Sequence, residues 1–134
     1  MFHLSEERQI LLTQKIMSSL DEWGLSAADQ VLVLNLPDDV RTRKLRAFHE
    51  NTPLPKSDNV EFRAVRILGI IDALRTSYPK NASMGGRWMK APHRRFQNRT
   101  PLQVMLEEGN TGVDTVLAEL DCSYAWELSG SQAK

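Results

Sequence analysis

One stretch of this chain leaves its secondary structure little choice. Val60, Ala64, Ile67, Ile71, Leu74 and Tyr78 recur at alternating steps of four and three, the spacing that stacks side chains along one face of an α-helix. Phe62, Val65 and Leu68 widen the stripe, as expected of a helix enclosed by others in a bundle. Ser57 or Asp58 supplies an N-cap, and Pro79 a stop. Gly69 inside such a helix costs about 1 kcal/mol relative to Ala, a cost that a close neighbouring backbone would explain. A helix this apolar must be covered, and the rest of the chain offers only helices to cover it.

Ser5 caps a first helix that places Leu12, Ile16, Leu20 and Trp23 on one face, and Gly24 ends it. Ser26 and Asp29 have the spacing of a capping box and open a short helix through Leu34, broken at Asn35-Leu36-Pro37. The pattern predicts a third helix from Asp38 or Asp39 to about His49, with Val40, Leu45, Ala47 and Phe48 inward. Pro53 and Pro55 then enforce an extended connection. Beyond Asn81 the elements shorten. Residues 83–90 suit a two-turn helix with Met84 and Trp88 on one side, weakened by Gly85-Gly86 and ended by Pro92. Thr100-Pro101-Leu102-Gln103 is a dense helix start, with Thr at the cap, Pro at the first helical position and Gln at the capping-box position. Leu102, Met105 and Leu106 face inward until Gly109, and Asn110 or Thr111 begins a last helix carrying Val113, Val116, Leu117 and Leu120. Residues 122–134 show no period. The expectation is an all-α, compact bundle of about seven helices, without strand alternation or repeats.

The chain has 134 residues, 41% of them hydrophobic and 25% charged, which suits a folded domain and argues against disorder. The densest apolar run, 67–74, falls short of a membrane span, and residues 1–8 lack a signal-peptide core. Cys122 is the sole cysteine, so no internal disulfide forms and a cytoplasmic home is expected. The zero net charge conceals a pattern: residues 1–39 carry −5, residues 40–99 carry +10 and residues 100–134 carry −5. A basic middle between acidic ends is either a surface for an anionic partner or a set of charges neutralised across the fold.

Catalytic patterns are scarce. His3, His49 and His93 stand far apart without partners at metal-ligand spacing, and Cys122 sits near an apolar helix, a position for packing. Gly85-Gly86 alone matches no nucleotide-binding loop, and Glu107-Glu108 looks solvated. Two binding features remain. The helices near 26–34 and 38–49 have the size of a helix-turn-helix pair, whose second member presents Arg41, Arg43 and Arg46 as candidate DNA contacts. Lys44 falls inside its apolar arc, and the turn lacks a glycine; the bland alternative is a solvated basic helix. The second feature is Arg87-Trp88 with His93-Arg94-Arg95-Phe96-Gln97-Asn98-Arg99. Arginines beside aromatics in an irregular connection have the composition of an interface, with the rings themselves suited to plugging the core.

At these residues the chain resembles the toxin-binding domain of the Xre/MbcA/ParS antitoxins. The resemblance rests on Trp88, Ala91-Pro92, Phe96, Thr100-Pro101-Leu102, Gly109 and the helix 113–120. Upstream, Trp23-Gly24-Leu25-Ser26 resembles the Xre-like helix-turn-helix region, and 63–74 resembles the joining helix. The chain departs from the pattern at Leu36-Pro37, where a glycine turn is usual, and at His93-Arg94-Arg95, where an Asn is commoner.

The resemblance implies an Xre-like region at 1–55, a connecting helix at 56–80 and a toxin-binding subdomain with its tail at 81–134. It implies a non-enzymatic type II antitoxin without cofactor. Such a protein would silence a RES-domain toxin, which consumes NAD or transfers ADP-ribose from it, by covering the toxin's NAD pocket. Homodimers within a higher-order complex, and operator DNA as a second partner, follow from the same likeness. Trp88, Phe96, Thr100, Pro101, Leu102 and Gly109 would then be scaffold. Arg87, Arg94, Arg95, Asn98, Tyr124, Trp126 and Lys134 would be toxin contacts, the tail ordering on binding. A free-standing DNA-binding regulator and a plain helical adaptor stand as alternatives.

Overall fold

The structure is a computed structural model that describes residues 1–129; for Ala82 and residues 122–129 it describes the backbone alone. Among the described residues there are six α-helices and no strands: α1 Glu6–Glu22, α2 Ala27–Val33, α3 Leu45–Glu50, α4 Asp58–Ser77, α5 Ala82–Lys90 and α6 Pro101–Ser129. The all-α expectation holds, with a helix count close to seven. The chain divides into two compact units, Met1–Val65 and Arg66–Lys134, with the boundary inside α4.

In the first unit, Ser5 Oγ accepts a hydrogen bond from the Arg8 N–H (3.2 Å) and starts α1, with Glu6 and Glu7 favourably placed at its positive end. Ile16, Met17, Leu20 and Trp23 are buried, whereas Leu12 is half-buried. Buried Thr13 donates to the Gln9 carbonyl (2.8 Å) and accepts from the Leu54 N–H (3.2 Å), fastening the proline-flanked connection onto α1. α3 packs on the same helix.

α1 and α2 end by one device. Gly24 has φ 80°; its N–H donates to the Asp21 carbonyl and that of Leu25 to Leu20. At α2, Asn35 has φ 55°; its N–H donates to Leu32 and that of Leu36 to Val31. Both are Schellman motifs, which require a left-handed residue just past the helix. Asparagine tolerates that conformation best after glycine, so Asn35 does the work of the missing turn glycine. A buried cation adds donors at this end of α2: Arg63 of α4 donates through Nη1 to Val33 (3.0 Å) and, beside Asn35, to Leu32 (3.3 Å). Burial lowers the pKa of this guanidinium.

The third helix is shorter than its sequence pattern predicts. The Val40 N–H is spent on the Pro37 carbonyl (2.9 Å), and Arg41 is extended (φ −93°, ψ 160°). Winding therefore begins only with a 3-10 turn at Thr42–Lys44 before α3. Leu45 and Phe48 are buried, but Val40 and Ala47 are only half-buried. The change of register also leaves Lys44 exposed, outside the apolar face.

In the second unit the stripe of α4 runs through Ile67, Ile70 and Leu74, with Ile71 half-buried in place of its predicted core position. Gly69 faces a side chain rather than a backbone: a Cβ there would lie 3.3 Å from the methyls of Leu117. Gly85 and Gly86 are buried, and a Cβ on Gly85 would stand 3.2 Å from that of Leu74. They are packing residues. Met89 is the fully buried side chain of α5, while Met84 and Trp88 are half-buried.

The capping box at α6 forms in both directions, the Gln103 N–H donating to Thr100 Oγ1 (3.0 Å) and the Thr100 N–H to Gln103 Oε1 (2.7 Å). Gly109, at φ 61° and ψ −131°, breaks α6 in a conformation that side chains oppose. Beyond the break the backbone returns so closely that a Cβ on Gly112 would collide with the Val104 carbonyl oxygen. Helical backbone then continues to Ser129. The expected aperiodic tail is thus helical over 122–129, and residues 130–134 lie outside the described part.

Candidate functional site

The connection between α5 and α6 is built around three rings. Ala91 leaves α5 in an extended conformation, as a residue before proline must. His93 and Arg99 pair in an isolated antiparallel bridge, with the His93 N–H donating to the Arg99 carbonyl (3.1 Å). Between them lies a 3-10 turn at Arg94–Phe96, closed by two left-handed residues, Gln97 (φ 57°) and Asn98 (φ 62°). The Asn98 N–H returns to the His93 carbonyl (2.9 Å). This winding drives Phe96 inward to 3% exposure and leaves Arg94 and Arg95 at the surface.

The rings of Trp88 and His93 lie 4.9 Å apart, and Phe96 meets both edge-on at 6.3 and 6.1 Å, a favourable arrangement of ring quadrupoles. His93 also places Nε2 3.0 Å from the Trp88 carbonyl, making it that bond's donor. With Pro92, Arg94, Arg95 and Glu119, these rings line one concavity. Arg95 grips Glu119 of α6 through Nε (3.2 Å) and Nη1 (3.3 Å). Arg94 makes no ion pair with a described residue.

The brace of the loop is Arg99, the last residue of the arginine–aromatic cluster. It donates to the Phe96 carbonyl (3.1 Å), Glu107 (2.9 Å), Glu108 (2.7 Å) and Gln97 (3.0 Å). Glu108 and then Glu107 raise its pKa above the ordinary value. The pair expected to be solvated is therefore engaged in fixing the loop. No periodicity connects a loop arginine to carboxylates one to two turns into the next helix, so only the cluster of charges pointed there.

The predicted site residues divide as follows. Trp88, Phe96, Arg94 and Arg95 come together; Pro101 and Leu102 are buried behind Thr100, and Gly109 makes the break. Arg87 is exposed on α5 and does not line the concavity, and Asn98 is exposed at the turn. The side chains of Tyr124 and Trp126, and Lys134 altogether, lie outside the described residues. Arg41, Arg43 and Arg46 belong to the first unit; all are exposed, Arg46 standing 3.5 Å from Glu50.

A second concavity, in the first unit, is lined in part by Asp21, Gln30, Thr42, Arg46 and His49. His49, without a partner at metal-ligand spacing in the sequence, places Nε2 2.6 Å from Asp21 Oδ2 and Nδ1 2.8 Å from the Leu45 carbonyl. Gln30 donates to the other Asp21 oxygen at 2.7 Å. Both ring nitrogens face acceptors, so the geometry calls for the imidazolium. Burial opposes that charge, but the bonds to Leu45 and Asp21, with the nearby charges of Asp21 and Glu50, outweigh it and raise the pKa. A ring donating at both nitrogens has no lone pair for a proton of Thr42, so this is a clamp and not a general base. Among the described residues no group of three or more His, Cys, Asp or Glu is placed to hold a metal ion, and no helix is long and apolar enough to cross a membrane.

The loop between α5 and α6 is thus braced by Arg99 and carries exposed Arg94 and Arg95 at its tip. Residues 81–122 match the family model of the antitoxin Xre/MbcA/ParS C-terminal toxin-binding domain. The matched segment runs from the cap of α5 through the loop and both sides of the Gly109 break. No curated protein matches the chain.

Proposed function

We propose that this protein is the antitoxin of a type II toxin–antitoxin system and neutralises an NAD-consuming or ADP-ribosylating RES-domain toxin by binding over its NAD pocket. The match of residues 81–122 to a toxin-binding domain carries the reading. The exposure of Arg87, Arg94, Arg95 and Asn98 on that segment supports a contact role for them; Tyr124, Trp126 and Lys134 extend the contact along the tail. The action is occlusion in the cytoplasm, without a cofactor, by a homodimer within a larger toxin–antitoxin complex. Co-expression with the product of the adjacent reading frame tests it: cellular NAD should be preserved by the full chain and lost when residues 81–134 are deleted. An unchanged NAD level with the deletion overturns the reading.

A DNA-binding role, either in autoregulation or as the whole function of a free-standing regulator, draws on one observation. Arg41, Arg43, Lys44 and Arg46 are all exposed within six consecutive positions. Cations so placed suit phosphate contacts. Promoter DNA should then shift in a salt-dependent manner, and the double variant Arg41→Ala/Arg43→Ala should abolish the shift.

A further inference from the structure

We propose that the concavity beside Arg94 is a socket for an acidic segment of the partner protein, a carboxylate meeting Arg94 while a neighbouring apolar side chain rests on Trp88. The inference rests on the toxin-binding reading and specifies the chemistry that the site accepts. Its floor is aromatic: Phe96 is buried, while Trp88 is half-buried and so leaves part of its ring open. Its rim carries Arg94, Arg95 and Glu119. Glu119 spends both oxygens on Arg95, so that pair is neutral, and the charge left to a newcomer is Arg94. A cation that makes no ion pair with a described residue, set beside apolar surface, is complementary to a carboxylate carried next to an apolar side chain. The backbone holding Arg94 is fixed by the His93–Arg99 bridge and the Arg99 brace, so little ordering entropy is lost on docking.

Arg94 takes no part in an ion pair with described residues, so its replacement leaves the fold intact and isolates the contact.

Two measurements test the socket separately from the function. In the first, the isotopically labelled full chain is titrated with the peptide acetyl-Glu-Leu-Glu-Leu-Glu-amide, with its lysine counterpart and with a single-stranded DNA oligonucleotide. The acidic peptide should shift the Trp88 indole N–H resonance, the lysine peptide should not, and Arg94→Glu should remove the response. Silence toward the acidic peptide, or a response to the oligonucleotide alone, overturns the socket. In the second, affinity for the purified toxin of the adjacent reading frame is measured at low and high salt. Arg94→Glu should weaken binding by about tenfold and flatten its salt dependence, with Arg94→Lys near wild type. Wild-type affinity in Arg94→Glu overturns the socket. A toxin that ignores the wild-type chain overturns the antitoxin reading instead, and the peptide titration still decides the socket.

Discussion

His49 and Arg63 show how much one side chain holds in the first unit. His49 donates to acceptors on both sides, so its pKa lies above the ordinary 6.5. For a group raised on folding, the stabilisation is complete below the unfolded pKa and is lost as pH rises through the folded one. Thermal midpoints measured from pH 6 upward should thus fall relative to those of His49→Gln, the two converging once the imidazolium is deprotonated. A constant difference across that range would contradict the assignment. Arg63 acts through its guanidinium geometry. Arg63→Met should take the donor from the Val33 carbonyl and one of two from Leu32, and cost about 2 kcal/mol in urea unfolding. Lys, a point donor on a different stem, should recover less than half of it. Neither role could be read from sequence, because each joins residues 28 or more apart across the fold.

Elements were legible where they announce themselves locally. The caps at Ser5, Ser26 and Thr100 formed as their spacing predicts, since a cap is decided within one turn. The third helix forms but starts late, because Pro37 sets up a turn that consumes the Val40 N–H, a contest that hydrophobic spacing does not record. The stripe of α4 was right in period and wrong by one position at Ile70, as neighbouring apolar residues compete for the same face. Glycines were the least legible. Gly85-Gly86 suggests a weak helix and is instead close packing; nothing in the local sequence marks Gly112, which sits against a backbone carbonyl. Gly112→Ala should therefore cost about 2 kcal/mol or more, since a carbonyl in a helix cannot yield as a side-chain methyl can. Chemical denaturation would show it. Thr100→Ala, losing one capping bond, should cost about 1 kcal/mol by the same measurement.

For the molecule as a whole, the class of fold was open to inspection from the start. Helical period dominates the sequence, the six α-helices take up most of the described residues, and far-UV circular dichroism should show the corresponding strong helical signal with no strand component. The segment that matches the toxin-binding family model was also legible, through residues that shape its backbone: the cap at Thr100, buried Phe96, Pro101 and Leu102, and the break at Gly109. What the sequence withheld was the bracing of the loop, since Arg99, Glu107, Glu108 and Glu119 look like any surface charges until the chain has turned. That bracing has a consequence for how such a protein can vary. The bridge from His93 to Arg99 and the reach from Arg99 to Glu107 and Glu108 are set by the number of residues between them more than by their kinds. The tip at Arg94 is free to drift as the partner drifts, whereas a single inserted or deleted residue would put the brace out of step. Lineages that share this device should therefore differ in the letters of the loop and agree in its length.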